Sequence, residues 1–246
     1  MSNSQKVLTR DEADKLMGEH VIIPEGYTEI EYRAFLNRTD IVHLEIPASI
    51  KKIDAWAWAN KSSQMARISV DPENMYYSSL EGVLFNKDGT ELFSCPPKKE
   101  GDAYTIPTGV TKIGIGAFYG CKTLKQIILP EGISNIEDRA FCACYQLMHI
   151  NIPDTIKYIN SEVFLSCWDL KEITLPPDIK EIGGEAFRAC RKTTDLTVIE
   201  KPEFDKCEKI VFIPDGSKGL VIRCYKDSVA HKYALENNLD FELISV

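Results

Sequence analysis

Eight cysteines and four histidines carry whatever nucleophilic, redox or metal chemistry this chain could perform. The densest group is Cys142 and Cys144 in "AFCACYQL" (140–147), a C-x-C that could hold a soft metal ion or cycle between thiols and a disulfide. A zinc site needs ligands converging at about 2.0–2.3 Å on one ion, and its sequence sign is a second ligand pair at suitable spacing. Cys95, Cys207 and Cys224 have no C-x-x-C companion. His20, His43, His149 and His231 form no H-E-x-x-H and stand in no recognisable nucleophile motif. "GIGAF" and "DGSKG" lack the strand-to-helix setting of a phosphate loop. Cys142 could serve as a nucleophile only beside a base. The expectation is therefore a protein with no catalytic residues, no cofactor and no metal site.

Composition narrows the partners. The chain of 246 residues is 44% hydrophobic and 27% charged, enough to bury a core, with no disorder-like bias. A net charge of -8 gives no basic footprint for nucleic acid or anionic lipid. No apolar run approaches the roughly 18 residues of a membrane span, and the first 20 residues show no apolar signal region. As written, the sequence reads as cytoplasmic, with an exported or cell-surface protein as the alternative.

The elements that must position these residues emerge from a 23-residue period. Pro107, Pro130, Pro153 and Pro176 fall in register, as do Ile113, Ile136, Ile159 and Ile182, and Phe118, Phe141, Phe164 and Phe187. Upstream, Pro24 and Pro47, Ile30 and Ile53, and Phe35 with Trp58 continue it. In each repeat a segment such as "LKQIIL" alternates, with Leu124, Ile127 and Leu129 to one side and Gln126 and Ile128 to the other, which predicts a short strand buried on one face. Pro130 and Gly132 make a turn. "EDRAFCACYQ" then brings Ala140, Phe141 and Cys144 to one side, which predicts a short helical turn. Such a coil buries its apolar side only by stacking on its neighbours, about 4.8 Å apart, in a parallel strand ladder.

The irregular parts separate into an insert and two ends. "GVLFN" and "TELFSCP" read as strands of a hairpin turning at Lys87-Asp88-Gly89. Thr9 with Glu12 forms a capping box ahead of a short helix that stops at Gly18. Asp227 or Ser228 caps a second helix with Val229, Tyr233 and Leu235 as its apolar side. The organisation is a capping segment (1–20), repeats (21–70), a hairpin-containing insert (71–105), repeats (106–215) whose last copies decay, and a C-terminal cap (216–246).

The pattern, as in "AFYGCKTLKQIILPEGISNIEDRAFCAC", resembles the BspA-type leucine-rich repeat over about residues 21–215. The resemblance implies an α/β class, right-handed leucine-rich-repeat-like solenoid, a horseshoe with short helical turns and helical caps. It implies no enzymatic activity, and it brings an association with adhesion and with host or matrix binding.

The period also reassigns the thiols. Cys121, Cys144, Cys167 and Cys190 share one slot and should form a buried column of small, inert, reduced side chains. Cys142 is off-register, with Tyr119, Leu165 and Arg188 as counterparts, and is expected on the outer or flanking side. Function is then expected on a surface. The outward strand positions of successive coils would form one contiguous concave face, with His43, Glu45, Gln126, Ile128, His149, Asn151, Glu172 and Thr174 as the candidates for binding a protein partner. The corresponding reading is a monomeric, non-enzymatic recognition or scaffold module. The alternative is a structural or adhesion fragment of a bacterial cell-surface protein.

Overall fold

A computed structural model describes residues 6–58, 63–190 and 220–244. Cys207 and most of the decaying last repeat lie outside the described residues. In chain order the elements are β1 (Val7–Leu8), α1 (Arg10–Ala13), β2 (His20–Ile22), β3 (Glu29–Ile30), β4 (His43–Ile46), β5 (Lys52–Ile53) and β6 (Arg67–Val70). The insert supplies β7 (Tyr77–Leu80), β8 (Val83–Asn86) and β9 (Glu91–Ser94). The following coils supply β10 (Ala103–Thr105), β11 (Lys112–Ile113), β12 (Gln126–Ile128), β13 (Asn135–Ile136), β14 (His149–Ile150), β15 (Tyr158–Ile159), β16 (Glu172–Thr174) and β17 (Glu181–Ile182). The chain closes with β18 (Val221–Cys224), α2 (Val229–Glu236) and β19 (Asp240–Leu243).

Each coil contributes two strands, and each kind stacks in parallel. One set of strands, mostly three or four residues long, pairs as β2-β4-β6, β10-β12-β14 and β16-β18-β19; the other, of two-residue strands apart from β9, pairs as β1-β3-β5, β9-β11-β13 and β15-β17. The register advances by one period per rung, with Gln126 opposite His149 and Lys112 opposite Asn135. The parallel strand solenoid expected from the period is present.

A third inter-coil ladder runs through the turns, and here the structure departs from the expected helical turn. Residues 138–143 form hydrogen-bonded turns, not a helix. Two positions in each of the four coils after the insert have left-handed backbone: Gly116, Arg139, Glu162 and Glu185 at one, and Gly120, Ala143, Ser166 and Ala189 at the other. Alternating backbone handedness aims every second N–H at the next coil. Arg139, Phe141 and Ala143 donate to the carbonyls of Ser161, Val163 and Leu165 at 2.8–3.1 Å. Left-handed backbone costs a non-glycine residue about 1–2 kcal/mol, and these hydrogen bonds hold it in place.

Beneath the turns the aromatic slots stack. Phe118, Phe141, Phe164 and Phe187 lie with successive ring centroids 5.2, 5.3 and 5.4 Å apart. The column ends on α2, where Tyr233 meets Phe187 edge-on at 6.0 Å. Ala230 and Ala234 are the buried residues of α2, whereas Leu235, expected on its apolar side, is exposed. Ser228 is the N-cap and accepts from the His231 N–H. At the other end α1 is a single turn whose Thr9 N–H donates to the Glu12 carboxylate at 3.2 Å, and that bond lowers the Glu12 pKa.

The insert is a meander, not a lone hairpin. The expected pair β8-β9 forms, and β7 adds a third antiparallel strand through Glu81 and Gly82, both with positive φ. The last insert strand rejoins the solenoid, with β9 in parallel register with β11. The core divides at this point into two clusters: Val83 and Phe85 belong to the C-terminal one and Leu84, on the other face of β8, to the N-terminal one.

Candidate functional site

Cys121, Cys144, Cys167 and Cys190 form the expected buried column. Each of the last three donates its thiol hydrogen to the aromatic-slot carbonyl of the preceding coil: Cys144 to Phe118, Cys167 to Phe141 and Cys190 to Phe164, at 3.0–3.1 Å. A small residue with a weak donor fits this slot. Burial pushes the Cys144 thiol up and the Cys167 thiol well above its ordinary range, so both are held in the unreactive protonated form. Cys95, read as an irregular outlier, heads the same column beside Cys121, and burial raises it strongly. Cys142 corrects the sequence reading. It is 2% exposed, not on an outer side, and lies close enough to Tyr119 and Tyr145 to oppose ionisation of both phenols. Its backbone carbonyl accepts the Gly120 N–H in the turn ladder.

The eight strand-face candidates divide into two groups. Gln126, Ile128, His149, Asn151, Glu172 and Thr174 come from β12, β14 and β16 and their ends, are all exposed, and line one shallow open groove of about 550 Å³. Asp154 and Tyr225, outside the candidate set, complete its wall. Asn151 is also structural, because its side-chain amide both donates to and accepts from the backbone of Leu129 at 2.8 Å and so continues the ladder past the end of β14.

His43 and Glu45 stand apart, on β4 of the β2-β4-β6 sheet. The expected single contiguous face is therefore broken. Between β6 and β10 the meander intervenes, with the Gly82 carbonyl accepting the Ile68 N–H. On β4 the candidates meet a residue not counted among them. His20 on β2 is directly opposite His43, with ring centroids 4.4 Å apart and planes 8° from parallel. His20 Nε2 lies 2.7 Å from Glu45 Oε1, and His43 also contacts the Ser69 hydroxyl. Burial, reinforced by the neighbouring His20, lowers the His43 pKa, while Glu45 pulls the other way. The spacing from His20 to His43 is one period, so the pairing was present in the sequence as a repeat position.

Stacked coils of this geometry, with a two-strand rung and an aromatic column, define a protein of the leucine-rich-repeat solenoid class. The sequence matches the family profile of the BspA type leucine-rich repeat region in six copies, over residues 15–88 and 97–214. The chain belongs to the BspA-type leucine-rich repeat family.

Comparison with curated proteins finds no match. Among solved structures, a leucine-rich cell surface protein from Faecalibacterium prausnitzii A2-165 is 26% identical, with a TM-score of 0.63 over 74% of this chain and 54% of that one. The pneumococcal vaccine antigen PcpA is 21% identical, with a TM-score of 0.61 over 89% of this chain and 60% of the antigen. At that identity the second likeness is one of fold. This chain spans less than two thirds of the length of either protein.

Proposed function

We propose that this chain is a non-enzymatic recognition or adhesion module that binds a protein partner through the exposed side of its longer strands. The observation that carries the reading is the groove over β12, β14 and β16, where six outward residues from three successive coils line one surface that spans the β10-β12-β14 and β16-β18-β19 sheets. Solenoids use such extended surfaces for contacts spread over several repeats. Ile128 among Gln126, His149, Glu172 and Thr174 gives the mixed apolar and polar lining common at protein interfaces. In the same reading the solenoid is right-handed and α1 and α2 cover its open ends, since an unprotected end would expose core residues.

Display at a bacterial cell surface is the setting supported by the Faecalibacterium prausnitzii neighbour, itself described as a leucine-rich cell surface protein. Among the described residues no helix is long and apolar enough to cross a membrane. A cytoplasmic scaffold is the competing assignment.

The test is affinity capture from native cell extract and from candidate host material. The double variant Ile128→Arg with Thr174→Arg should lose a partner that the parent chain and a variant of the turn face, Glu185→Arg, both retain. Equal capture by all three would remove the groove from the assignment.

A further inference from the structure

A parallel ladder sets equivalent positions of successive coils side by side, so two residues one period apart become neighbours. His20 and His43 meet in this way, in direct register between β2 and β4. Glu45, two residues on, projects from the same face of β4. Its Oε1 lies 2.7 Å from His20 Nε2 and 3.9 Å from His43 Nε2, and the three donor atoms all fall within 4.8 Å of one another.

We infer that His20, His43 and Glu45 form a binding site for a late first-row divalent cation, with Zn²⁺ as the representative. Two imidazoles and a carboxylate are the donor set such ions prefer. Around a tetrahedral ion with metal–ligand distances of about 2.0–2.1 Å, ligand atoms stand roughly 3.3 Å apart. The two separations from Glu45 Oε1 straddle that value. The parallel rings must turn so that their nitrogens converge, and the side chains are 53%, 25% and 38% exposed for His20, His43 and Glu45, which leaves room to do so. The backbone of the site is held in place, because β4 is paired on both sides, by β2 and by β6. Three protein ligands leave a position open for water or for a donor from a binding partner.

Two local features set the strength of the site. Arg67 faces His43 from β6 and opposes a cation, which keeps the affinity below that of a closed four-ligand structural site. The Ser69 hydroxyl contacts the His43 ring and must yield or reorient. Elsewhere on the described longer-strand ladders no rung pairs two histidines; His149 has Gln126 opposite it. The inference does not depend on the strand face being a docking surface, because the metal is measured on the chain alone.

Titration calorimetry with Zn²⁺ on the full chain, paired with visible absorption of the Co²⁺ form, tests it. One Zn²⁺ per chain is expected, weakened by at least about tenfold in His43→Gln and in Glu45→Gln and unchanged in His149→Gln. The Co²⁺ form should show d–d bands without thiolate charge transfer. His20→Gln, on the half-exposed residue of the outer strand, should give the same loss and serves if His43→Gln alters thermal unfolding. Equal affinity in all variants, no binding to the parent, or a thiolate charge-transfer band assigning the metal to cysteine would each overturn the site.

Discussion

Asn74 is fully buried, yet every polar group of its side chain is used. The amide nitrogen donates to the carbonyls of Pro47 and Ile50 at 2.8 and 2.9 Å, and the oxygen accepts from the N–H groups of Tyr76 and Tyr77 at 2.8 and 2.9 Å. One residue thus ties the start of the meander to the second coil. Replacement by alanine removes the partner of two carbonyls and two N–H groups that cannot all reach water. Asn74→Ala should cost about 2–4 kcal/mol of stability, read as a lower urea midpoint with an unchanged slope. A loss below about 0.5 kcal/mol would mean that water replaces the amide. The buried thiols show the complementary case, in which a reactive residue type is chosen for its size. Cys167 offers one weak donor to Phe141 and otherwise packs as a small apolar group.

At the scale of the element, the spacing between coils decides which residues fit at the turn. A Cβ added at Gly183 would stand 2.6 Å from the Ser161 nitrogen and 2.7 Å from the Asn160 carbonyl carbon, both rigid backbone of the preceding coil. At Gly184, one residue on, nothing lies within 4 Å. Gly183→Ala must therefore push two rungs apart, at about 1–3 kcal/mol. Gly184→Ala should be neutral or stabilising by up to about 1 kcal/mol, since it restricts only the unfolded chain. Thermal unfolding of the two variants side by side distinguishes them, and equal midpoints would contradict the close approach. A single methyl group is felt because the turn ladder already holds the coils by backbone hydrogen bonds of 2.7–3.1 Å, as from Phe118 to Ala140 and from Gly116 to Asp138.

Across the whole molecule, burial of tyrosines makes the fold sensitive to alkali. Burial raises the pKa of Tyr77, Tyr104, Tyr119 and Tyr233, and pushes Tyr145 up to about 12. In the unfolded chain phenols ionise near pH 10. Below that pH both states keep the proton and these groups make stability independent of pH. Above it the unfolded chain releases protons that the native one retains, so stability falls as pH rises from about 10 toward 12. Urea midpoints at pH 9 and pH 11 should show the decline, and the phenolate absorbance of these residues should appear together with loss of circular dichroism. Full phenolate absorbance near pH 10 with the fold intact would refute it. The same scale shows why the binding surface is divided. The meander sits between the two core clusters and separates the histidine pair from the groove.

The 23-residue period alone determined the coil, the inward positions of Phe141 and Cys144 and the outward positions of Gln126 and His149. These are one-dimensional properties: in a stack, a residue's neighbours are its counterparts one repeat away, so register in sequence is contact in space. The tertiary structure decided what depends on fit between unlike segments. Arg139, Glu162 and Ala143 carry no residue-type signal for left-handed backbone, and only the hydrogen bonds to the next coil hold them there. Cys142 is buried, near Tyr119 and Tyr145, in a turn where local pattern placed its side chain outside. Leu235 is exposed because α2 meets the last coil through Ala230, Ala234 and Tyr233. The convergence of His20, His43 and Glu45 lies between these cases: the period placed the two rings side by side, and rotamers chosen by the surrounding strands brought the carboxylate to them.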